Sequence, residues 1–280
     1  MRIISDAPGQ TCNRLWSYVA SVAQCIALNQ KMTILFFDET IEDFPSFLHC
    51  KYIYFPLWNK WCLEHLNGWK YYHGLTWRIK FDHKKKWDRI SNLLGFTNGW
   101  QTRSDNRYLK QTLPELKRIF RPKDEIMNKA EKMISKMKES SDLIVGVHIR
   151  RGDYAAWHNG RFFYELEDYY QFMLRVKNLY KGNKVSFFIS SNENFELDIF
   201  KDCDCCRFDK EPSGAILDLY TLSLCNRIMG PFSSYSRWAS FIGEVPLCFI
   251  ENIDQQFTEN SFSKIIDFFH FENGKEIYDW

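Results

Sequence analysis

The chain has 280 residues, which at about 150 per domain allows one large domain or two smaller ones. Hydrophobic residues make up 45% and charged residues 26%, which excludes a disordered tail protein, a collagen and a coiled coil. With 37 Lys+Arg against 35 Asp+Glu the net charge is +2, short of the basic excess that a nucleic-acid-binding chain usually carries.

Arg2 to Ser5 reads as a short strand, and Asp6-Ala7-Pro8-Gly9-Gln10-Thr11 as a turn cluster. Leu15, Val19, Val22, Ala23 and Ile26 recur at helical spacing, which predicts an amphipathic helix over 13–29. A buried strand over 32–37 completes a strand–helix–strand unit. Residues 44–110 are rich in Trp, Tyr and Lys, show weak periodicity, and read as short helices and irregular loops. Helices follow over 113–120 and 123–138, with Pro122 breaking between them. The polar join Glu139-Ser140-Ser141-Asp142 divides the chain into domains 1–139 and 140–280.

Beyond the join, Leu143-Ile144-Val145-Gly146-Val147-His148-Ile149 has the near-continuous apolar character of a parallel strand buried on both faces. Alternation then predicts a helix over 165–180, a strand over 184–190, a short helix over 193–200 and a third strand over 204–208. It continues with a helix over 215–225, strands over 227–230 and 245–250 flanking a helix over 234–242, and a closing helix over 262–269. The pattern predicts an α/β fold of two halves with a cleft between them. Binding loops are expected at the C-terminal strand ends, after Ser5, Ile149, Ser190 and Gly230.

The nine cysteines are odd in number and scattered, which argues against a disulfide framework and for a reducing compartment. Met1 to Asp6 lacks the apolar core of a signal peptide, and the longest charge-free stretch, 15–30, is too short and polar to span a bilayer. These features predict a cytoplasmic protein, with a peripheral membrane contact left open.

Three clusters carry candidate chemistry. The loop His148-Ile149-Arg150-Arg151-Gly152-Asp153-Tyr154 places adjacent arginines at a strand end, and guanidinium forks fit phosphate oxygens bidentately. An ordinary loop whose arginines pair with local carboxylates is the alternative. Asp218 sits amid apolar residues in Gly214-Ala215-Ile216-Leu217-Asp218-Leu219-Tyr220, as an acid favoured by a helix dipole or as one that receives the paired N–H donors of a guanine edge. In Gly230-Pro231-Phe232-Ser233-Ser234-Tyr235-Ser236-Arg237-Trp238 a strand ends and serines open a helix, which suits either plain N-capping or phosphate binding.

His148-Ile149-Arg150-Arg151-Gly152-Asp153 resembles the H-x-R-R-x-D motif of the α-1,2- and α-1,6-fucosyltransferases. Gly9-Gln10-Thr11-Cys12-Asn13-Arg14-Leu15 is similar to their N-terminal G-x-x-G-N-[QR] loop, with Cys12 where glycine is usual. Ile216-Leu217-Asp218-Leu219 and Phe232-Ser233-Ser234 with Arg237-Trp238 resemble their two C-terminal motifs. Tyr154, Trp157 and Gly160-Arg161-Phe162-Phe163-Tyr164 look like bacterial α-1,2-fucosyltransferase-like proteins.

The resemblance implies a GT-B glycosyltransferase of two Rossmann-like domains, the N-terminal one on the acceptor side and the C-terminal one binding the nucleotide sugar. It implies inverting transfer of fucose from GDP-fucose to a glycan hydroxyl, with no metal and no cofactor beyond the donor. Carried over by position, Arg150 holds the diphosphate, Arg151 shapes that site, His148 and Asp218 meet the guanosine, Ser233 and Ser234 meet the phosphates, and Asn13 faces the cleft. The acceptor is open, a lipid-linked glycan included; the linkage leans to α-1,2. For the catalytic base the candidates are Asp153 and His158, with Glu165 further on. An Asp that binds an arginine makes a poor base, whereas a histidine is suited to proton transfer near neutral pH. The departing phosphate taking the proton is the third route.

Two other features offer rival chemistry. Asp202-Cys203-Asp204 matches the D-x-D of metal-dependent glycosyltransferases but reads as a solvated turn, and Cys203, Cys205 and Cys206 lack the spacing of a zinc site. The basic-aromatic segment 77–89 could track single-stranded nucleic acid or an anionic membrane, as a binding module without catalysis, or be a solvated face.

Overall fold

The computed structural model describes residues 2–4, 8–35, 37, 39–55, 96–209 and 214–277. Its contacts divide the chain into two compact units, Met1–Lys123 and Asp124–Trp280. The division falls ahead of the join expected at 139. The helix between these positions, Asp124–Lys138, packs in the second unit against the helix that carries Asp218. Its apolar stripe Ile126, Ala130, Ile134 and Met137 is buried, and that burial, not the polar join, sets the unit to which it belongs.

The N-terminal unit is a parallel sheet of β1 (Arg2–Ile4), β2 (Met32–Ile34), β3 (Ile53–Tyr54) and β4 (Phe96–Thr97), ordered β3-β2-β1-β4. Helix α1 (Thr11–Leu28) connects β1 to β2 and buries Leu15, Trp16, Val19, Val22 and Ala23. It ends at Asn29, whose left-handed backbone (φ 49°) serves as the C-cap. A four-residue helix α2 (Pro45–Leu48) follows, and α3 (Leu109–Ile119) packs on α1. Helix α3 starts ahead of the predicted 113 and carries Pro114 in its interior.

The C-terminal unit begins with α4 (Asp124–Lys138) and β5 (Leu143–Ile149), the latter matching the predicted strand. Then come α5 (Leu166–Leu179), β6 (Val185–Ser191), β7 (Asp204–Cys206), α6 (Gly214–Leu222), β8 (Arg227–Gly230), α7 (Ser234–Gly243) and β9 (Leu247–Phe249). The five strands are all parallel in the order β7-β6-β5-β8-β9. Val145, Val147, Ile149, Phe187 and Ile189 of the sheet pack with Phe172, Met173 and Val176 of α5 in one buried cluster. Strand order reverses between β5 and β8, and ligands of doubly wound sheets bind beyond the strand ends at such a point. The arginine loop follows β5 there, and α7 opens after β8.

Two predicted helices are corrected. Of 193–200 only Leu197–Phe200 is helical, as one 3₁₀ turn. The segment 262–269 is not a helix: Ser263 exchanges backbone hydrogen bonds with Leu247, and the Ile265 N–H donates to Ser240 Oγ. Phe262, Ile265 and Phe268 are all buried, so their helix-like spacing reflects burial along an irregular, bridged segment. Among the described residues no helix is long and apolar enough to cross a membrane. The segment 77–89 lies outside the described residues.

Candidate active site

His148 stands one residue from the end of β5 and is 4% exposed. Burial, reinforced by the Arg150 charge, pushes its imidazole down to about 3, so the ring is neutral at physiological pH. Its Nδ1 is buried without a hydrogen-bond partner. The ring lies 4.8 Å, centroid to centroid, from that of Tyr235 in the first turn of α7. Close approach of the two strand ends requires Gly230, where a Cβ would fall 2.7 Å from the His148 carbonyl oxygen.

Tyr235 donates its hydroxyl to the Ala215 carbonyl (2.6 Å) and accepts from Ser190 Oγ (3.4 Å) at the end of β6. Ser190 also lies close enough to Asp218 to favour its charged form. Asp218 lies beyond the first turn of α6, so the helix dipole does not account for its position. Burial pushes its carboxyl up to about 7, against the opposing effects of Ser190 and the Arg207 charge. Ser190 and Tyr235 thus join His148 and Asp218 in one cluster across β5, β6, α6 and α7.

Beside it, Arg150 Nη2 donates to Asp153 Oδ2 (2.9 Å), and the Arg150 N–H donates to Tyr169 Oη (3.4 Å). Arg151 pairs with Glu165 (2.7 Å) and reaches Glu193 (3.6 Å), while its N–H donates to Asn192 Oδ1 (3.0 Å). The Tyr154 hydroxyl donates to the Phe232 carbonyl (2.6 Å) and ties the arginine loop to the serine loop. Ser233 caps α7: its Oγ accepts from the Tyr235 N–H (3.1 Å). Ser234 is the first residue of that helix, at the end whose partial positive charge favours an anion.

His158 is exposed, with φ 47° in the left-handed region, and its ring meets that of Trp157 edge-on at 4.3 Å. Asn13 belongs to the N-terminal unit, on the first turn of α1, where its N–H donates to the Gln10 carbonyl. The positive φ of that loop falls on Gly9 (+47°), and a Cβ there would collide with the Asn13 side chain. Cys12 is helical and buried, so cysteine at the family's glycine position needs no left-handed backbone.

The D-x-D acids sit elsewhere. Asp204 opens β7 in register with Ser186, which is itself in register with Ile144. Five residues separate Ile144 from the strand end at Ile149, a distance of roughly 16 Å along the sheet from the arginine loop. Asp202 accepts from the Tyr170 hydroxyl and Asp204 from Ser186. Among the described residues no three His, Cys, Asp or Glu side chains are grouped to hold a metal ion.

Sequence reasoning did not single out Tyr154, Tyr169, Asn192 or Tyr235 as site residues. Tyr235 follows the Ser233-Ser234 pair directly and was legible as part of that motif; Asn192 carries no local signal.

Comparison with known proteins adds an independent finding. The family model Glycosyl transferase family 11 matches residues 67–265. No curated protein matches the chain. The fold is similar to that of fucosyltransferase NodZ from Bradyrhizobium, with TM-score 0.50 and 14% identity over 90% of this chain and 96% of that one. It is also similar to POFUT1 in complex with GDP, with TM-score 0.52 and 11% identity over 89% of this chain and 97% of that one. A FUT1 mutant from Arabidopsis thaliana in complex with GDP gives TM-score 0.51 and 12% identity over 99% of this chain and 77% of that one. The shared architecture is α/β with parallel sheets.

Proposed function

The chain belongs to glycosyl transferase family 11 and is a sugar-transferring enzyme, and on that premise we propose that it moves L-fucose from GDP-fucose to a hydroxyl of a glycan acceptor, with inversion and with α-1,2 linkage. The observation that carries the reading is the pairing, at the switch point of one sheet, of the His148–Ser190–Asp218–Tyr235 cluster with Arg150 and the N-terminus of α7. The first suits a guanine and its ribose; the second suits a diphosphate. GDP in the POFUT1 and FUT1 complexes supports the donor class.

In this reading Arg150, Ser233, Ser234 and the α7 amides bind the diphosphate and stabilise the charge it gains as the sugar–phosphate bond breaks. Arg151 does not compete for it: Glu165 and Glu193 hold its guanidinium and Asn192 its backbone, so it braces the loop. Neutral His148 adds a buried imidazole without a second charge beside Arg150. The acceptor oxygen bonds to the anomeric carbon, GDP departs, and the hydroxyl proton passes to a base. The N-terminal unit, with Asn13, takes the acceptor side, and the protein works in the cytoplasm, at the membrane when its acceptor is lipid-linked.

The reading is tested by turnover of a panel of GDP- and UDP-sugars in excess chelator. We expect GDP-fucose to be consumed at the full rate. Preference for a UDP-sugar overturns the donor assignment. Loss of activity restored by Mn²⁺ overturns the metal-free mechanism.

Asp153 is held by Arg150, so its expected contribution is to the shape of the site, whereas exposed His158 is the candidate base. The expected result is that Asp153→Asn lowers kcat without changing the form of the pH–rate profile. His158→Ala costs about a hundredfold, the low end for general-base catalysis. A His158→Ala enzyme that keeps its rate rules His158 out. If Asp153→Asn is fully active as well, the phosphate is the proton acceptor.

A further inference from the structure

The loop that carries Arg150 continues into a segment to which donor binding assigns no role. Trp157 is 37% exposed there, yet its ring rests on two buried ones, Tyr154 at 4.7 Å and Phe162 at 5.6 Å. Phe162 packs on Phe232 (4.9 Å), which stacks on Phe249 of β9 (4.5 Å). The Tyr154 hydroxyl bond to the Phe232 carbonyl locks the same base. Trp157 is therefore a rigid surface group held by the core, not a side chain lying loosely over the loop.

The backbone around it is constrained as well. His158 and Asn159 both take left-handed conformations, at φ 47° and 57°. Such backbone is uncommon for residues other than glycine. These two residues are exposed beside the indole, and Asp153 is 60% exposed on the same loop. A partly exposed indole thus lies on a loop that also exposes hydrogen-bonding groups.

We propose that Trp157 is the platform on which a pyranose ring of the acceptor glycan stacks, with His158 and Asn159 meeting its hydroxyls. A pyranose has an apolar C–H face and a polar edge, which this surface complements. A preformed tryptophan loses little conformational entropy on binding. Position along the loop selects the acceptor over the donor. The Arg150 guanidinium lies 5.8 Å from the Tyr154 ring, on which Trp157 packs in turn. In the proposed reading the transferred sugar is bonded directly to the phosphate that Arg150 holds, so a pyranose on Trp157, which contacts Tyr154 and not Arg150, belongs to the acceptor. The inference rests on the proposed transferase reading.

The test uses the full-length protein, loaded with GDP, on an array of oligosaccharides ending in galactose, glucose or N-acetylglucosamine. The parent is expected to be retained by one or more of them. Trp157→Ala and Trp157→Leu lose about tenfold or more in retention, as truncation of a buried aromatic anchor does; Trp157→Phe keeps most of it. GDP affinity by calorimetry is the same for all four proteins, which separates this proposal from the donor reading. Equal retention of Trp157→Leu and Trp157→Phe, or no retention of the parent by any glycan, overturns it. So does a Trp157→Ala protein that keeps glycan binding and instead loses binding to phosphatidylglycerol vesicles, which would make the indole a membrane contact.

Discussion

Arg150→Lys is expected to lose about a hundredfold to a thousandfold in turnover while the protein remains folded. A lysine keeps the charge but lacks the planar fork that grips two phosphate oxygens at once. Losing one preorganised donor to a developing oxyanion costs about 2.7–4 kcal/mol. The structural cost is much smaller. Arg150 pairs with Asp153, which is 60% exposed, and pairs open to solvent contribute roughly 0–1 kcal/mol. The loop stays anchored by the Tyr154–Phe232 hydrogen bond and by the Arg150 N–H, neither of which involves the guanidinium. Steady-state kinetics beside a thermal melt check both halves. Near-normal turnover would show that the diphosphate binds elsewhere.

Asp218→Asn is expected to stabilise the unliganded protein at neutral and alkaline pH and to cost it GDP. In the folded protein the Asp218 carboxyl titrates at about 7; in the unfolded chain it titrates near the ordinary value of about 3.9. Between those values the folded state holds a proton that the unfolded state has lost, so this residue makes stability fall as pH rises from about 4 to about 7 and leaves it lowered above that. Asparagine carries no charge and removes the loss. The variant should therefore melt a few degrees above the parent at pH 8, with the gap closing in acid. In the proposed function guanine binding runs the other way, because an ionised carboxylate can accept both edge N–H groups and an asparagine only one. A lost paired contact of this kind is worth about 1–3 kcal/mol, or roughly tenfold to a hundredfold in Kd. The parent's GDP affinity should itself weaken below pH 7 as Asp218 takes up its proton. A melt that shows no pH-dependent gap between parent and variant contradicts the buried, costly carboxylate.

The C-terminal half was legible because each of its signals is local. The apolar run Leu143–Ile149 defines β5 to the residue, and the Gly230-Pro231-Phe232-Ser233 sequence marks the end of β8 and the cap of α7. What was not legible depends on contacts between distant residues. The braces on Arg151 come from Glu165, Asn192 and Glu193, which leave no periodicity to read. The cluster around His148 needs Ser190 and Tyr235, whose meeting depends on the order of the strands. The segment 262–269 misled because buried residues three apart occur in a bridged segment as well as in a helix. Asn159-Gly160 is a turn signal of the usual kind, and it marks the left-handed stretch that presents Trp157.

The central claim is that the C-terminal unit is built for a guanosine diphosphate, and titration calorimetry with GDP, UDP and CMP at pH 8 tests it most directly. GDP should bind at least about tenfold more tightly than UDP, with CMP weaker than both for want of the guanine contacts at Asp218 and of the second phosphate. Equal affinity for GDP and UDP, or preference for UDP, would contradict the assignment of the His148–Ser190–Asp218–Tyr235 cluster to a guanine.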